Sequence, residues 1–335
     1  MEHKDLGQKT SIKKALELWN LERETAEEKL WDLEQEPWLE YFFVNKLAGR
    51  FKGVSIGKWL LWGILAVLAV IALYPVFFLI SGSVMGKDEL ASCLGAVIAG
   101  NQGYAEFPLL PAYPTLRHYV EVFLDSPGFF VMFWNSIKIT FGVLAGQLLV
   151  GTMAAWGFAK YDFPWKKGFF LIYMILMLLP FQVLMLSDYL VLDRLALTDN
   201  LWGIILPGAF STFPVFIMYR FFTELPESLL ESARLDGARE WQLFYYIGLP
   251  MGSSGVIAAM VLGFLEYWSL IEQPMTFLKE IRLFPLSIFL PDITSAGQSG
   301  MAFAASVVTF LPALLVFLGG QDYLEQGIMA GAVKE

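Results

Sequence analysis

The chain has 335 residues, 56% hydrophobic and 16% aromatic, with a formal charge of −9 and a mean hydropathy of +0.56. That is too apolar for an ordinary soluble domain of this length, and it points to a polytopic membrane protein. No basic patch suggests a nucleic-acid partner, the single Cys93 excludes a disulfide framework or cysteine metal site, and two histidines, His3 and His118, leave no histidine-based metal cluster in the apolar runs.

Residues 1–58 lack the short apolar core and small-residue cleavage site of a signal peptide, and they read as a cytoplasmic N-terminal extension. Ser11 can cap a helix with Ile12, Ala15, Leu16 and Trp19 along one side, and Leu30, Trp31 and Leu33 continue the apolar pattern among eleven acids and ten bases. From Pro37 to Phe51, Tyr41, Phe42, Phe43, Val44 and Leu47 describe an aromatic helix lying in the membrane interface. The first piece is open between a solvated helix and a partner-binding arm.

Six runs are long enough to cross about 30 Å of hydrocarbon at about twenty residues each: 59–81, 129–157, 168–189, 201–222, 251–273 and 301–319. The expected fold is therefore all-α, with a six-helix transmembrane domain over 59–319 and a C-terminal tail over 320–335. With the N-terminus inside, the inner segments hold seventeen Lys and Arg and the outer ones five. The positive-inside rule then places both termini in the cytoplasm.

The outer segment 82–128, with Arg117 and His118, is long enough to fold over the outer mouth and to offer a docking surface. In 274–300 the apolar piece from Leu286 to Leu290 is too short to span, and it is expected to be re-entrant or interfacial. Gly142 and Gly146, with Ala154 and Ala155, suit close helix packing.

Charges inside a span are costly and so are functional candidates. Lys138 and Glu266 lie at matching depths, roughly 13 Å and 10 Å from the outer ends of the second and fifth spans. They either face a subunit interface, pairing with each other or touching a passing solute with Trp268 as a flat surface for a sugar ring, or Lys138 snorkels outward and Glu266 pairs within its own subunit.

Between the fourth and fifth spans lies a polar, helix-forming insert, residues 223–250. Pro226 suits a first helical turn, and Leu229, Leu230 and Ala233 repeat at helical spacing. Gly237 fits the left-handed position that ends a helix, and Asp236 can cap a second one. There Ala238, Trp241 and Tyr245 form a new apolar stripe until Pro250 stops it. Five acids against two bases make this hairpin a poor match for lipid headgroups, so a protein groove is the expected partner.

The run from Glu231 to Ala238, followed by Phe244, Ile247 and Leu249-Pro250, resembles the EAA loop of permease subunits of ATP-binding-cassette importers. Asn135-Ser136, the run Ala154 to Ala159, Pro180, Leu206-Pro207, Arg220-Phe221-Phe222 and the tail Gly331 to Lys334 resemble the carbohydrate-uptake, maltose-type branch of that family, over about 59–335. Ser232, Ser254, Asp322 and Glu335 depart from the pattern. The resemblance implies a coupling helix docked in a cleft of a separate ATPase, with Glu231 paired to a base there, Gly237 making the turn, and Ala233 and Ala238 permitting close approach. Asp236, Trp241, Leu249 and Pro250 complete that coupling set. It further implies a second permease subunit in a heterodimer, an extracytoplasmic solute-binding protein, an oligosaccharide or polyol-like sugar as solute, and a bacterial or archaeal cytoplasmic membrane. ATP and Mg would belong to the ATPase, with no cofactor, metal or chemistry in this chain.

Three short matches carry no function. Gly57-Lys58 lacks the glycine of a phosphate loop, Leu318 to Gln321 ends an apolar run, and Gly252 to Gly255 resembles a serine-protease signature without a histidine in any span to act as its base. The rivals are a self-sufficient secondary transporter, which would show repeated halves and leave the acidic hairpin unexplained, and a membrane enzyme, which the missing histidines and metal ligands weaken.

Overall fold

A computed structural model describes residues 56–98, 104, 110–289 and 299–332. The expected helices of residues 1–55 lie outside these, as do residues 290–298 and the last three of the tail. The described chain divides into a smaller unit, 56–77 with 227–240, and a larger one, 78–226 with 241–332. Every regular element described is helical.

The first run forms α1, Ile56–Val84, with Pro75 inside it. Among the described residues four helices are long and apolar enough to cross a membrane, and the number is six when each of two bent pairs counts as one span. After α1 come α2 (Lys87–Ile98) and α3 (Arg117–Leu124) in the outer segment. The second span, α4, is one helix over Pro127–Lys160, widened to a π-turn at Gln147–Gly151.

The third predicted span is not one helix. It breaks into α5 (Lys166–Leu178) and α6 (Phe181–Arg194), bent by 105°. Pro180 has no N–H to continue the ladder and drives Leu179 to an extended backbone, ψ 122°. The fourth span divides into α7 (Trp202–Ala209) and α8 (Thr212–Glu224). Pro207 lies inside the first piece, which ends at Ala209, and Pro214 falls in the opening turn of the second, where a missing N–H costs nothing.

Next come α9 (Glu227–Leu235) and α10 (Glu240–Met251), which bends by 71° into α11 (Ser253–Trp268). Pro250 does not stop α10. The chain turns two residues later, at Gly252, after a π-turn over Leu243–Gly248 has absorbed the lost hydrogen bond. A short α12 (Glu272–Phe277) and two 3₁₀ turns precede α13, Ser299–Ala332. α13 runs on past residue 320 as one helix to Ala332.

In the larger unit α11 is the central helix. Gly263 admits Gln147 of α4, Tyr267 packs on Gly208 of α7, and Gly320 of α13 admits Val261. Gln147 is 1% exposed, and its Nε2 donates to the Gly208 carbonyl freed near the end of α7. Gly142 and Gly146 play the packing role expected of them, against Ile205 and Ala209.

Candidate functional site

In the smaller unit, α9 ends in a paired-bond turn. Ala238 N–H donates to Ala233 O and Gly237 N–H to Arg234 O, with Gly237 at φ 85°. This is a Schellman termination, which a residue with a Cβ reaches only under strain. Asp236 is the residue on which α9 ends, its N–H donating to Ser232 O. The helix after it starts at Glu240. Arg234 spans the turn, donating to Glu227 at 3.3 Å and to Glu240 at 3.1 Å.

The apolar stripe of α9 does not face outward. Leu230 is wholly buried, and Leu229 and Ala233 are half-buried. The exposed surface carries Glu231, Ser232, Asp236 and Gly237 around Leu235, which is 89% exposed. Sequence spacing picks out the stripe but not the exposure of Leu235 beside it.

In the larger unit, Trp241 and Tyr245 at the start of α10 are each 58% exposed, and Tyr246 packs edge-on to Tyr245 at 5.2 Å. Leu243 is buried, Leu249 half-buried and Pro250 exposed. The inner ends of α4 and α8 meet α10 and α11 in an aromatic junction. Trp156, 4% exposed, lies 5.4 Å from Phe222 and 5.8 Å from Phe244. A Cβ on Gly248 would stand 2.6 Å from the Trp156 ring, and one on Gly252 2.4 Å from Phe222. Lys160 Nζ adds a hydrogen bond to Leu225 O at 2.8 Å, fastening the end of α4 to the chain leaving α8.

The outer ends are joined by directed polar contacts. Asn135 Nδ2 donates to Arg282 O and Phe284 O, and Ser136 Oγ accepts from Leu286 N–H. The short apolar piece at Leu286 is thus packed on α4, with Leu286 2% exposed. Asp199 (φ 58°) donates its N–H to Phe277 O and accepts the Lys279 and Glu280 amides at Oδ1. Those two amides, Glu280 first, hold its carboxyl below the usual carboxylate range. His118 is fully buried, with Nε2 3.0 Å from Met85 O and Nδ1 3.4 Å from Glu121. Burial opposes ionisation of Glu121, but hydrogen bonds from Lys87, Arg117 and His118 outweigh it and hold the carboxyl below its ordinary value.

The three in-span candidates separate. Trp268 is 3% exposed, stacked on Phe264 at 5.4 Å and donating Nε1–H to Thr309 O, so its face is closed to any solute. Lys138 and Glu266 are both exposed, and among the described residues no ion pair joins them. Lys138 opens on a groove with Trp202, Asp199 and Asn200.

Residues 147–330 match the family described as binding-protein-dependent transport system inner membrane component. An arabinooligosaccharides transport system permease protein, AraQ, of Halalkalibacterium halodurans is 29% identical over 84% of this chain and 99% of its own length. A probable ABC transporter permease protein of Pyrococcus horikoshii is 31% identical over 75% and 95%, and the lactose transport system permease protein LacG of Rhizobium radiobacter is 26% identical over 82% and 95%. Among solved structures, a chain of a bacterial ABC transporter involved in the import of the acidic polysaccharide alginate superposes with a TM-score of 0.68 at 22% identity, covering 80% of this chain and 96% of that one.

Proposed function

We propose a role that proceeds from one premise: the chain belongs to the family of binding-protein-dependent transport system inner membrane components. It is the membrane-spanning permease subunit of an ATP-driven importer, and its solute is a sugar of the oligosaccharide class. The relatives named for arabinooligosaccharides and lactose support that solute class. The chain sits in the cytoplasmic membrane of a bacterium or archaeon, with both termini inside. It pairs with a second permease, receives solute from an extracytoplasmic binding protein, and performs no chemistry on it. ATP and Mg belong to separate ATPase subunits that dock on residues 223–250. Residues 1–58 form a cytoplasmic extension outside the 59–319 permease domain.

The observation that carries this reading is the turn after α9, where Gly237 at φ 85° presents Glu231, Asp236 and the 89%-exposed Leu235 on one short acidic helix. An apolar anchor ringed by charge suits a groove in a partner protein. Within the larger unit, Lys160 and Leu225 are bonded, and α10 meets the ends of α4 and α8 through Gly248, Trp156 and Phe222. ATPase closure moves the hairpin and biases the spans toward the outward-open arrangement, a population shift driven by differential binding.

The test uses proteoliposomes holding the complete complex, ATP inside and binding protein outside, with labelled arabinotriose and lactose as probes. Uptake should require hydrolysable ATP and survive collapse of ion gradients. Uptake by this chain alone that follows an ion gradient would move the assignment to a secondary transporter.

A further inference from the structure

The tryptophan that belongs with Lys138 is Trp202. The first residue of α7, it is 54% exposed, and it lines a groove of about 520 Å³ with Lys138, Gly142, Asp199, Asn200, Leu201, Ile205 and Leu283. That size is within the range of small-molecule sites. The groove lies beside the close contact of α4 and α7 at Gly142 and Ile205, both of which line it.

Its polar members are held in place from behind. Asp199 is fixed through its own N–H and through Oδ1, which accepts two backbone amides at 2.9 Å. Asn200 Oδ1 accepts the Trp202 N–H at 3.1 Å, leaving its amide nitrogen as the donor. The set therefore combines a donor-only cation, an acceptor-only carboxylate, an amide donor and a broad indole beside aliphatic walls. A lipid chain would satisfy the walls and strand the polar groups, and a simple anion would meet the Asp199 carboxylate. A pyranose or furanose ring satisfies all of them: its hydroxyls both donate and accept, and its C–H face is apolar.

We propose that this groove is a carbohydrate subsite on the outer side of the permease, in which Trp202 stacks on a sugar ring while Lys138, Asp199 and Asn200 take its hydroxyls. The proposal rests on the importer reading and adds to it a place where this subunit itself reads the solute. Because the subsite binds solute and does not transmit force, its variants raise KM and spare the maximal rate.

The experiment measures arabinotriose and lactose uptake by the complete complex in proteoliposomes. Trp202→Ala should raise KM about tenfold with the maximal rate within about twofold, Trp202→Phe should stay within about threefold of the parent KM, and Lys138→Gln should raise it about threefold. If Trp202→Ala does not assemble, Lys138→Gln and Trp202→Phe carry the same readout. Unchanged KM in Lys138→Gln and in every assembled Trp202 variant overturns the subsite and leaves the importer reading standing. Equal losses in Trp202→Phe and Trp202→Ala, all in maximal rate, also overturn it. A parent complex that imports neither probe overturns the sugar reading, and the subsite with it.

Discussion

The two ends of the larger unit are fastened by different physics. At the inner end, Trp156, Phe222, Phe244, Gly248 and Gly252 meet mainly by shape, rings against rings and bare backbone, with one hydrogen bond, Lys160 to Leu225, beside them. At the outer end, Asn135, Ser136, Asp199 and the His118–Glu121 group hold their neighbours by directed hydrogen bonds. Ring-on-glycine contacts tolerate small sliding and tilting but not added volume, whereas hydrogen bonds fix register and fail with small displacements. The difference suits a machine driven from the inside, where helices must shift against one another while the outer segment keeps its shape.

Three perturbations sharpen that contrast. The largest effect is expected for Gly248→Val, which drives a branched side chain into the Trp156 ring, where even a Cβ stands at 2.6 Å. The complex should lose about 3 kcal/mol of thermal stability and nearly all uptake. A double variant with Trp156→Ala should recover part of both, and no recovery would show that the clash lies elsewhere.

Asn135→Ala comes second, leaving the carbonyls of Arg282 and Phe284 without their shared donor. A cost of about 2 kcal/mol is expected, read by thermal unfolding of the purified complex. Faster hydrogen exchange should be confined to peptides covering 279–289, and exchange that quickened equally around Gly248 would deny the independence of the two ends.

The smallest effect is on pH dependence. Asp199 and Glu121 are both held below their ordinary values of 3.8 and 4.5. A depressed carboxylate stabilises the fold above its unfolded value and stops doing so as pH falls through its folded one. Exchange of the outer peptides, corrected for intrinsic rates, should therefore be flat from pH 8 to about 5 and rise below about 4.5. The aromatic contacts at the inner end have no such titrating pair and should not follow. Matching acid sensitivity at both ends would contradict this assignment.

Much of this was legible in the sequence, for reasons that can be named. Gly237 announced a left-handed turn because other residues reach it only under strain, and the apolar runs announced the spans because hydrocarbon demands unbroken length. The run over 168–189 hid a 105° bend: Pro180 stood in plain view, but hydropathy sums over a window and says nothing of direction. Trp268 and Trp202 both border apolar runs, and only packing decides that the first is sealed against Phe264 while the second opens on a groove. Periodicity likewise found the stripe of Leu229, Leu230 and Ala233 but not that Leu230 is buried while Leu235 is exposed. The motifs around Trp156, Phe222 and Gly248 lie far apart in sequence, and their meeting is a property of the fold.

The most direct test of the account is a crosslink from Leu235→Cys to the co-expressed ATPase in the assembled complex, with Leu230→Cys as the buried control and Cys93, itself buried, left in place. The account predicts a specific crosslink at 235 whose yield changes with nucleotide and none at 230. A folded, transporting complex in which residue 235 stays free to aqueous thiol reagents in every nucleotide state would contradict it.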